Sequence, residues 1–352
     1  MSEQIKKLSV SGSPEEIGFQ HGEKLAEQIH RNIEFYQPIF LANLATEARV
    51  LHETKRIKER IGAFNPNYNR EIDQIAVGAG VSEPLWVYAL NARTELTLTH
   101  PRDECTAVVF PQQKILGQNW DWAQALEDNF VIMEICFPSG HKILQLTEAG
   151  IIGKIGLNNH GLGVTLNILW VKDQPLTGVP IHILLRALLE SQTLEEARNV
   201  VYRSENGKAS NIIVTHTGSA FNVEFFGEET IFYDICEDAY SHTNHYIHSN
   251  KSLSIDETDQ ESSITRHTQA IEEFNKLEHF STQQMISILS DNSCGENSIL
   301  ASFKPSSQIE MGFSGTLATI VMDLENRSMK VRKGNPSSQS FSFDRFFEFF
   351  IQ

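Results

Sequence analysis

The chain has 352 residues, 40% of them hydrophobic and 21% charged, enough for one large α/β unit or two smaller domains. Its 45 acidic against 29 basic residues give a formal charge of −16; such a surface repels phosphate backbones and anionic lipid, so neither nucleic acid nor a membrane is an expected partner. Met1-Ser2-Glu3-Gln4-Ile5-Lys6-Lys7-Leu8 lacks the apolar core of a secretory leader, and no stretch reaches the roughly 18 uninterrupted apolar residues of a membrane span, so a soluble, cytoplasmic protein is expected.

Ser13-Pro14-Glu15-Glu16 combines an N-cap serine, a proline at the first helical position and acids in the first turn. From there residues 13–60 read as helical, with Ile17, Leu25, Ile29, Ile33 and Tyr36 forming one buried stripe. Gly18 and Gly22, four apart, suit the close approach of another element. Helices are expected again over 67–79 and 83–98. Beyond residue 105 the period changes, and 106–110 and 115–119 read as two strands about a turn at 111–114. Further strands are expected over 131–137, 142–147, 153–157 and 163–169, helices over 180–192 and 194–203, and strands over 210–215 and 220–227. Residues 249–263, polar and serine-rich, read as a surface loop ahead of helices over 264–277 and 282–289. A hairpin over 316–323 and 328–333 turns at Glu325-Asn326-Arg327. There is no internal repeat, and the order helices, strands, helices, strands predicts an α+β layered domain of antiparallel sheets covered by helices.

Cys105, Cys136, Cys236 and Cys294 stand far apart with no C-x-x-C pair, so neither a disulfide framework nor a zinc ribbon is expected. Most lone cysteines in a reducing compartment are small buried hydrophobes. Cys105 differs by its place, since Asp103-Glu104-Cys105-Thr106 opens the first strand after the helical segment. If the Glu104–Cys105 bond breaks, Cys105 gains an α-amine whose reference pKa of about 8 is close to that of a thiol. One residue then supplies both nucleophile and base. Gly117-Gln118-Asn119-Trp120-Asp121-Trp122 ends the paired strand, and hairpin geometry returns Asp121 towards Cys105, where its carboxylate can hold the α-ammonium. Asn244, within Ser241-His242-Thr243-Asn244-His245-Tyr246, offers an amide donor to a developing oxyanion. Taken alone, Cys105 also fits a structural cysteine, Asp121 a hairpin-end carboxylate and Asn244 a turn residue.

With these residues in order, the sequence resembles the self-processing cysteine acyltransferases and hydrolases known from the fungal isopenicillin N acyltransferases, members of the N-terminal-nucleophile (Ntn) hydrolases. The matching features are Gly18-x-x-x-Gly22, Leu90-Asn91-Ala92-Arg93-Thr94-Glu95, Cys105-Thr106 and Gly117-Gln118-Asn119-Trp120-Asp121. They continue with Ile155-Gly156-Leu157-Asn158-x-x-Gly161, His242-Thr243-Asn244-His245 and Thr316-Leu317-Ala318-x-Ile320-Val321-Met322-Asp323, followed by Gly334-Asn335-Pro336. The resemblance implies an αββα sandwich of two antiparallel sheets between helical layers. It implies cleavage between Glu104 and Cys105 into a mainly helical segment, 1–104, and a catalytic segment, 105–352, that stay together as one structural domain. It also implies Cys105 as nucleophile and base and Asn244 in the oxyanion hole, and Asp121 matches the aspartate of the family's motif beside the nucleophile. Two departures stand out: Glu104 replaces the usual glycine, and 311–324 lacks the basic residue with which penicillin-type members face substrate.

The expectation is therefore a cysteine amidohydrolase or acyltransferase that cleaves or transfers the acyl group of a linear amide through a thioester on Cys105, with no cofactor. Its partners are a small amide, an acyl-acceptor amine and its own N-terminal fragment. Two other readings stand beside it: an inactive member of the fold serving as a binding protein, for which Glu104 speaks, and a nucleophile in Cys294-Gly295-Glu296-Asn297. His242, His245 and His248 lack the spacing and acidic company of a metal site and read as lining around Asn244. Asn119 lies in the motif beside the nucleophile. Trp120 and Trp122 fit either an acyl pocket or the core. Arg93 and Glu95 fit either a buttress for the cleavage segment or a surface ion pair.

Overall fold

In the computed structural model, which describes residues 5–97, 105–169, 178–205, 209–226, 229–249, 260–306, 309–334 and 346–351, a strand the sequence pattern did not announce, β1 (Lys7–Ser11), comes before the first helix. Helix α1 (Pro14–Lys24) starts on a capping box: the Ser13 hydroxyl accepts from the Glu16 N–H, and the Glu16 carboxylate accepts from the Ser13 N–H. The helical run expected over 13–60 is three helices, α1, α2 (Ala26–Leu44) and α3 (Glu47–Phe64). It breaks at Leu25 and again at Ala45, which takes a left-handed conformation before Thr46 caps α3. Helix α4 (Pro66–Ala79) packs against α1 so closely that a Cβ on Gly18 would lie 2.1 Å from the Glu71 carbonyl oxygen and one on Gly22 2.2 Å from that of Ile75. No residue but glycine fits there. Helices α5 (Leu85–Asn91) and α6 (Arg93–Leu96) divide the helix expected over 83–98.

Strands β2 (Thr106–Phe110) and β3 (Ile115–Ala123) form the expected hairpin, with β3 longer than its apolar run. Then come β4 (Phe130–Cys136), β5 (Lys142–Glu148), β6 (Ile155–Asn158), β7 (Leu162–Ile168), α7 (Ile181–Leu189), α8 (Leu194–Arg203), β8 (Ser210–His216) and β9 (Ser219–Phe226). Two more strands, β10 (Glu229–Ile235) and β11 (Tyr240–His242), lead to α9 (Glu261–Phe274) and α10 (Thr282–Leu289). The chain closes with β12 (Lys304–Pro305), β13 (Phe313–Asp323), β14 (Ser328–Lys333) and β15 (Phe347–Phe350). Of the surface loop expected over 249–263, residues 250–259 lie outside the described residues, and its end is a correction. Helix α9 begins at Glu261, and Ser263 is buried because it shares one face of that helix with Arg266 and Ala270.

Among the described residues the strands form two sheets. One has the order β1-β4-β5-β6-β7-β8-β9-β10, antiparallel apart from the parallel pairing of β1 with β4. The other runs β11-β2-β3-β13-β14-β15, with β12 on β13. The sheets face each other through β2 and β3 against β7 and β8. Helices α7 and α8 pack on the first sheet, and α9 and α10 on the second. This is the αββα sandwich, a mixed α/β architecture with two sheets. Alternation along β2 shows its sides: Ala107 and Val109 enter the core between the sheets, whereas Val108 and Phe110 join Ala270 and Leu289 under the helices. Among the described residues no helix is long and apolar enough to cross a membrane.

Candidate active site

Thr106 pairs with Asn119 across the β2–β3 hairpin, so Cys105, one residue earlier, lies across from Trp120. Cys105 is only 4% exposed and belongs to the core between the sheets. Its thiol donates to the Asp121 backbone carbonyl at 3.9 Å. The hairpin thus returns Asp121 to Cys105 through its backbone carbonyl, and the Asp121 side chain is itself buried. Glu104 lies outside the described residues.

Asn244 follows β11, the strand paired with β2. Its Nδ2 donates to the Ile168 carbonyl at 2.9 Å, and its backbone N–H donates to the Ser263 hydroxyl at 2.7 Å. What joins it to Cys105 is Arg266, a residue the sequence reading placed only on a helix. The buried Arg266 guanidinium donates through Nη1 to the Cys105 carbonyl (2.7 Å) and the Thr106 hydroxyl (3.0 Å), and through Nη2 to the Asn244 Oδ1 (3.0 Å). A guanidinium can only donate, so it fixes which end of the Asn244 amide is oxygen and which is NH₂. Asn167 Nδ2 gives the Cys105 carbonyl a second donor at 3.0 Å. The one available signal for Arg266 was its place on the buried stripe of α9, three residues after Ser263.

Histidines stand behind Asn244. His242 bridges the Glu224 carboxylate, 2.9 Å from its Nε2, and the Thr243 carbonyl, 2.8 Å from its Nδ1. His245 Nδ1 meets the Ser263 and Thr243 hydroxyls at 2.8 and 3.1 Å. Burial, helped by the charges of His242, His267 and Arg266, lowers His245 to about 3, so it is neutral near pH 7. Both rings are committed to the loop that carries Asn244. Asn119, on β3 opposite Thr106, donates to the Leu289 and Ile299 carbonyls, each at 2.8 Å, and so ties β3 to the helical layer behind it.

On the other side of Cys105 lies a buried charged cluster. Arg93 is not on the surface, as one of its two readings had it; it is 3% exposed and pairs with Glu148 at 2.8 Å. The reason is position, because the short α6 carries Arg93 into the core against β5. Lys154 Nζ donates to the same Glu148 oxygen at 2.6 Å and lies 3.1 Å from the centre of the Trp120 ring. Tyr36 adds a further hydrogen bond to Glu148, and the Trp122 indole N–H donates to the Tyr36 hydroxyl at 2.7 Å. Burial alone would raise the Glu148 carboxyl, but Arg93 and Lys154 outweigh it and hold the group at about 2. Glu95 accepts from the Ile181 N–H at 2.8 Å and caps the start of α7. Cys294, by contrast, is exposed.

A family model described as acyl-coenzyme A:6-aminopenicillanic acid acyl-transferase matches residues 109–338. The acyl-coenzyme A:6-aminopenicillanic-acid-acyltransferase 40 kDa form of Emericella nidulans is 32% identical over 255 residues, covering 70% of this chain and 69% of that protein. A mutant conjugated bile acid hydrolase from Clostridium perfringens superposes with a TM-score of 0.44 at 13% identity, over 69% of this chain and 93% of that one. Penicillin V acylase from Agrobacterium tumefaciens gives 0.41 at 13% identity, over 65% and 83%. The layered architecture described above rests on this chain's own strand order and packing.

Proposed function

The chain belongs to the acyl-coenzyme A:6-aminopenicillanic acid acyl-transferase family, and from that premise we propose that it is a cysteine amidohydrolase or acyltransferase working through a thioester on Cys105. The observation that carries this reading is the Arg266 bridge, which sets the Cys105 carbonyl and the Asn244 amide in one rigid frame although 139 residues of sequence separate the nucleophile from the donor. Asn244 uses one N–H on Ile168, and its second N–H serves the oxyanion.

In the proposed cycle the Cys105 thiolate adds to the acyl carbon of a linear amide, or of a thioester such as the acyl-coenzyme A named for the relatives. Asn244 stabilises the negative oxygen. Once the Glu104–Cys105 bond is broken, the Cys105 α-amine takes the thiol proton and returns it to the leaving group, an amine from an amide or a thiolate from a thioester, while Asp121 holds the ammonium form in place. Water or an amine acceptor then takes the acyl group from sulfur. Residues 1–104 and 105–352 are the two products of self-cleavage and remain one domain. That is supported by contacts across the cut, such as Asn32 Nδ2 to the Ala149 carbonyl at 2.8 Å and the pairing of β1 with β4. With no basic residue in 311–324, the 6-aminopenicillanic acceptor of the relatives is not carried over.

The test is mass spectrometry of the whole protein with and without an acyl donor. We expect a species cut before Cys105 and an acyl adduct on the 105–352 piece, both absent from Cys105→Ala. A wild-type protein that stays whole and carries no acyl group contradicts the proposal.

A further inference from the structure

Lys154 has no part in the cycle above, yet it is the buried amine beside the nucleophile. It is 1% exposed, and its Nζ rests on the face of Trp120, the residue directly across from Cys105. Cys105 is on that same face of the hairpin, in the core between the two sheets. We infer that Lys154 is the proton partner of the Cys105 thiol: its neutral amine takes the Sγ–H proton, the S–H electron pair stays on sulfur, and the resulting ammonium holds the thiolate. The inference deepens the reading of Cys105 as nucleophile and rests on it.

Every charged or titratable group around Lys154 bears on that exchange. Glu148 on β5 accepts its hydrogen bond and favours the ammonium; Arg93 on α6, sharing the same carboxylate oxygen, opposes it. Tyr36 on α2 is bonded to Glu148, and burial above all pushes its hydroxyl well up, so it stays protonated. His182 on α7 is driven well below its usual range by burial and then by Arg93 and Lys154, so it is neutral and cannot compete for the proton. Burial lowers Lys154 most; Glu148 and the charge of Cys105 pull the other way, and the result is about 7. An ordinary lysine at about 10.4 is always charged near neutrality and cannot accept a proton. This one can.

The need for such a group is chemical. Before cleavage the nitrogen of Cys105 is an amide and has no basic lone pair, so the thiol of the whole chain requires another base. After cleavage the α-amine is added to Lys154 and does not replace its field.

The experiment measures iodoacetamide alkylation at Cys105 by peptide mass across pH 5–10, with intact mass separating whole from cut chains. The exposed Cys236 and Cys294 serve as internal references. In wild type we expect Cys105 to react at pH 6–7, below the range of an ordinary thiol near about 8.5. Lys154→Met should slow Cys105 about tenfold or more at pH 7 and move its profile up to that ordinary range, in whole and cut molecules alike. Lys154→Arg keeps a positive charge that holds the thiolate but cannot take its proton, so Cys105 should alkylate within about threefold of wild type at pH 7 while self-cleavage, read by the same intact mass, slows about tenfold or more; that split separates proton transfer from charge and from packing, and it is available even if the methionine variant does not fold. A Lys154→Met profile that overlays wild type, or an arginine variant that cleaves itself as fast as wild type, overturns the inference. A wild-type Cys105 that neither alkylates ahead of the references nor accepts an acyl group instead refutes the nucleophile reading itself.

Discussion

Arg186 and Arg93 are both nearly inaccessible to solvent, and both answer to a buried glutamate, yet their surroundings balance charge in opposite ways. Arg186, on α7, binds both oxygens of Glu71 at 2.9 and 2.7 Å and donates through Nε to Glu190 at 2.8 Å. One guanidinium there serves two carboxylates, and despite burial those carboxylates raise Arg186 above its usual range. A group that cannot lose its proton makes this cluster a fixed strut between α4 and α7. In the second cluster two cations, Arg93 and Lys154, share the single carboxylate of Glu148, and one of them is a lysine brought down to about 7. The same currency of buried charge thus makes a brace in one place and a group able to exchange a proton in the other. The second lies beside Cys105.

The largest effect comes from removing what only the second cluster adjoins. Cys105→Ala should lower acyl turnover by about 10⁴-fold or more while leaving thermal unfolding nearly unchanged, because the ion pairs of Arg186 with Glu71 and of Arg93 and Lys154 with Glu148 stay intact. A variant with turnover near wild type would remove Cys105 from the chemistry. Asn244→Ala comes next, with kcat reduced about 10²–10³-fold and KM little altered, the pattern of a donor that acts in the transition state. A loss confined to KM would make Asn244 a substrate-binding residue instead.

Glu71→Gln and Glu148→Gln then set the clusters side by side. Breaking a buried pair by neutralising one partner costs about 3–5 kcal/mol of stability, and that range is expected for Glu71→Gln in urea unfolding. Activity per folded molecule should be unchanged in that variant. Glu148→Gln should lower both stability and the reactivity of Cys105, because Lys154 then loses its acceptor. If the two variants behave alike, the distinction between brace and proton partner is wrong.

The smallest effect is in pH. Lys154 is near 7 in the folded protein and about 10.4 in an unfolded chain, so between those values the unfolded state binds the extra proton. Its contribution therefore makes folding stability rise with pH from about 7 towards 10. Wild type minus Lys154→Met, measured by urea unfolding at pH 7 and pH 9, should show that rise; a flat difference contradicts the lowered amine.

Much of this was legible in the residues. The capping box at Ser13, the close glycines at Gly18 and Gly22, the β2–β3 hairpin and the return of Asp121 all follow from local chemistry or the strand period. The break of the long helical run at Ala45 was hidden, since a left-handed alanine has no compositional mark. Strands β1 and β10 were missed because each is an edge of the sheet, half-exposed and mixed in character. Arg266 and Lys154 were missed for a deeper reason. A buried cation is identified by the acceptors that surround it, and those become neighbours only in the fold: Cys105 and Asn244 for Arg266, Glu148 for Lys154.

The most direct measurement is the mass of the 105–352 piece during turnover of an acyl donor, recorded in Asn244→Ala so that the intermediate forms slowly enough to follow and compared with wild type. Wild type should carry one acyl group, removed by hydroxylamine and mapped to Cys105, with the same adduct forming about 10²–10³-fold more slowly in the variant. Turnover of the donor with no acyl group ever on Cys105 would contradict the thioester mechanism outright.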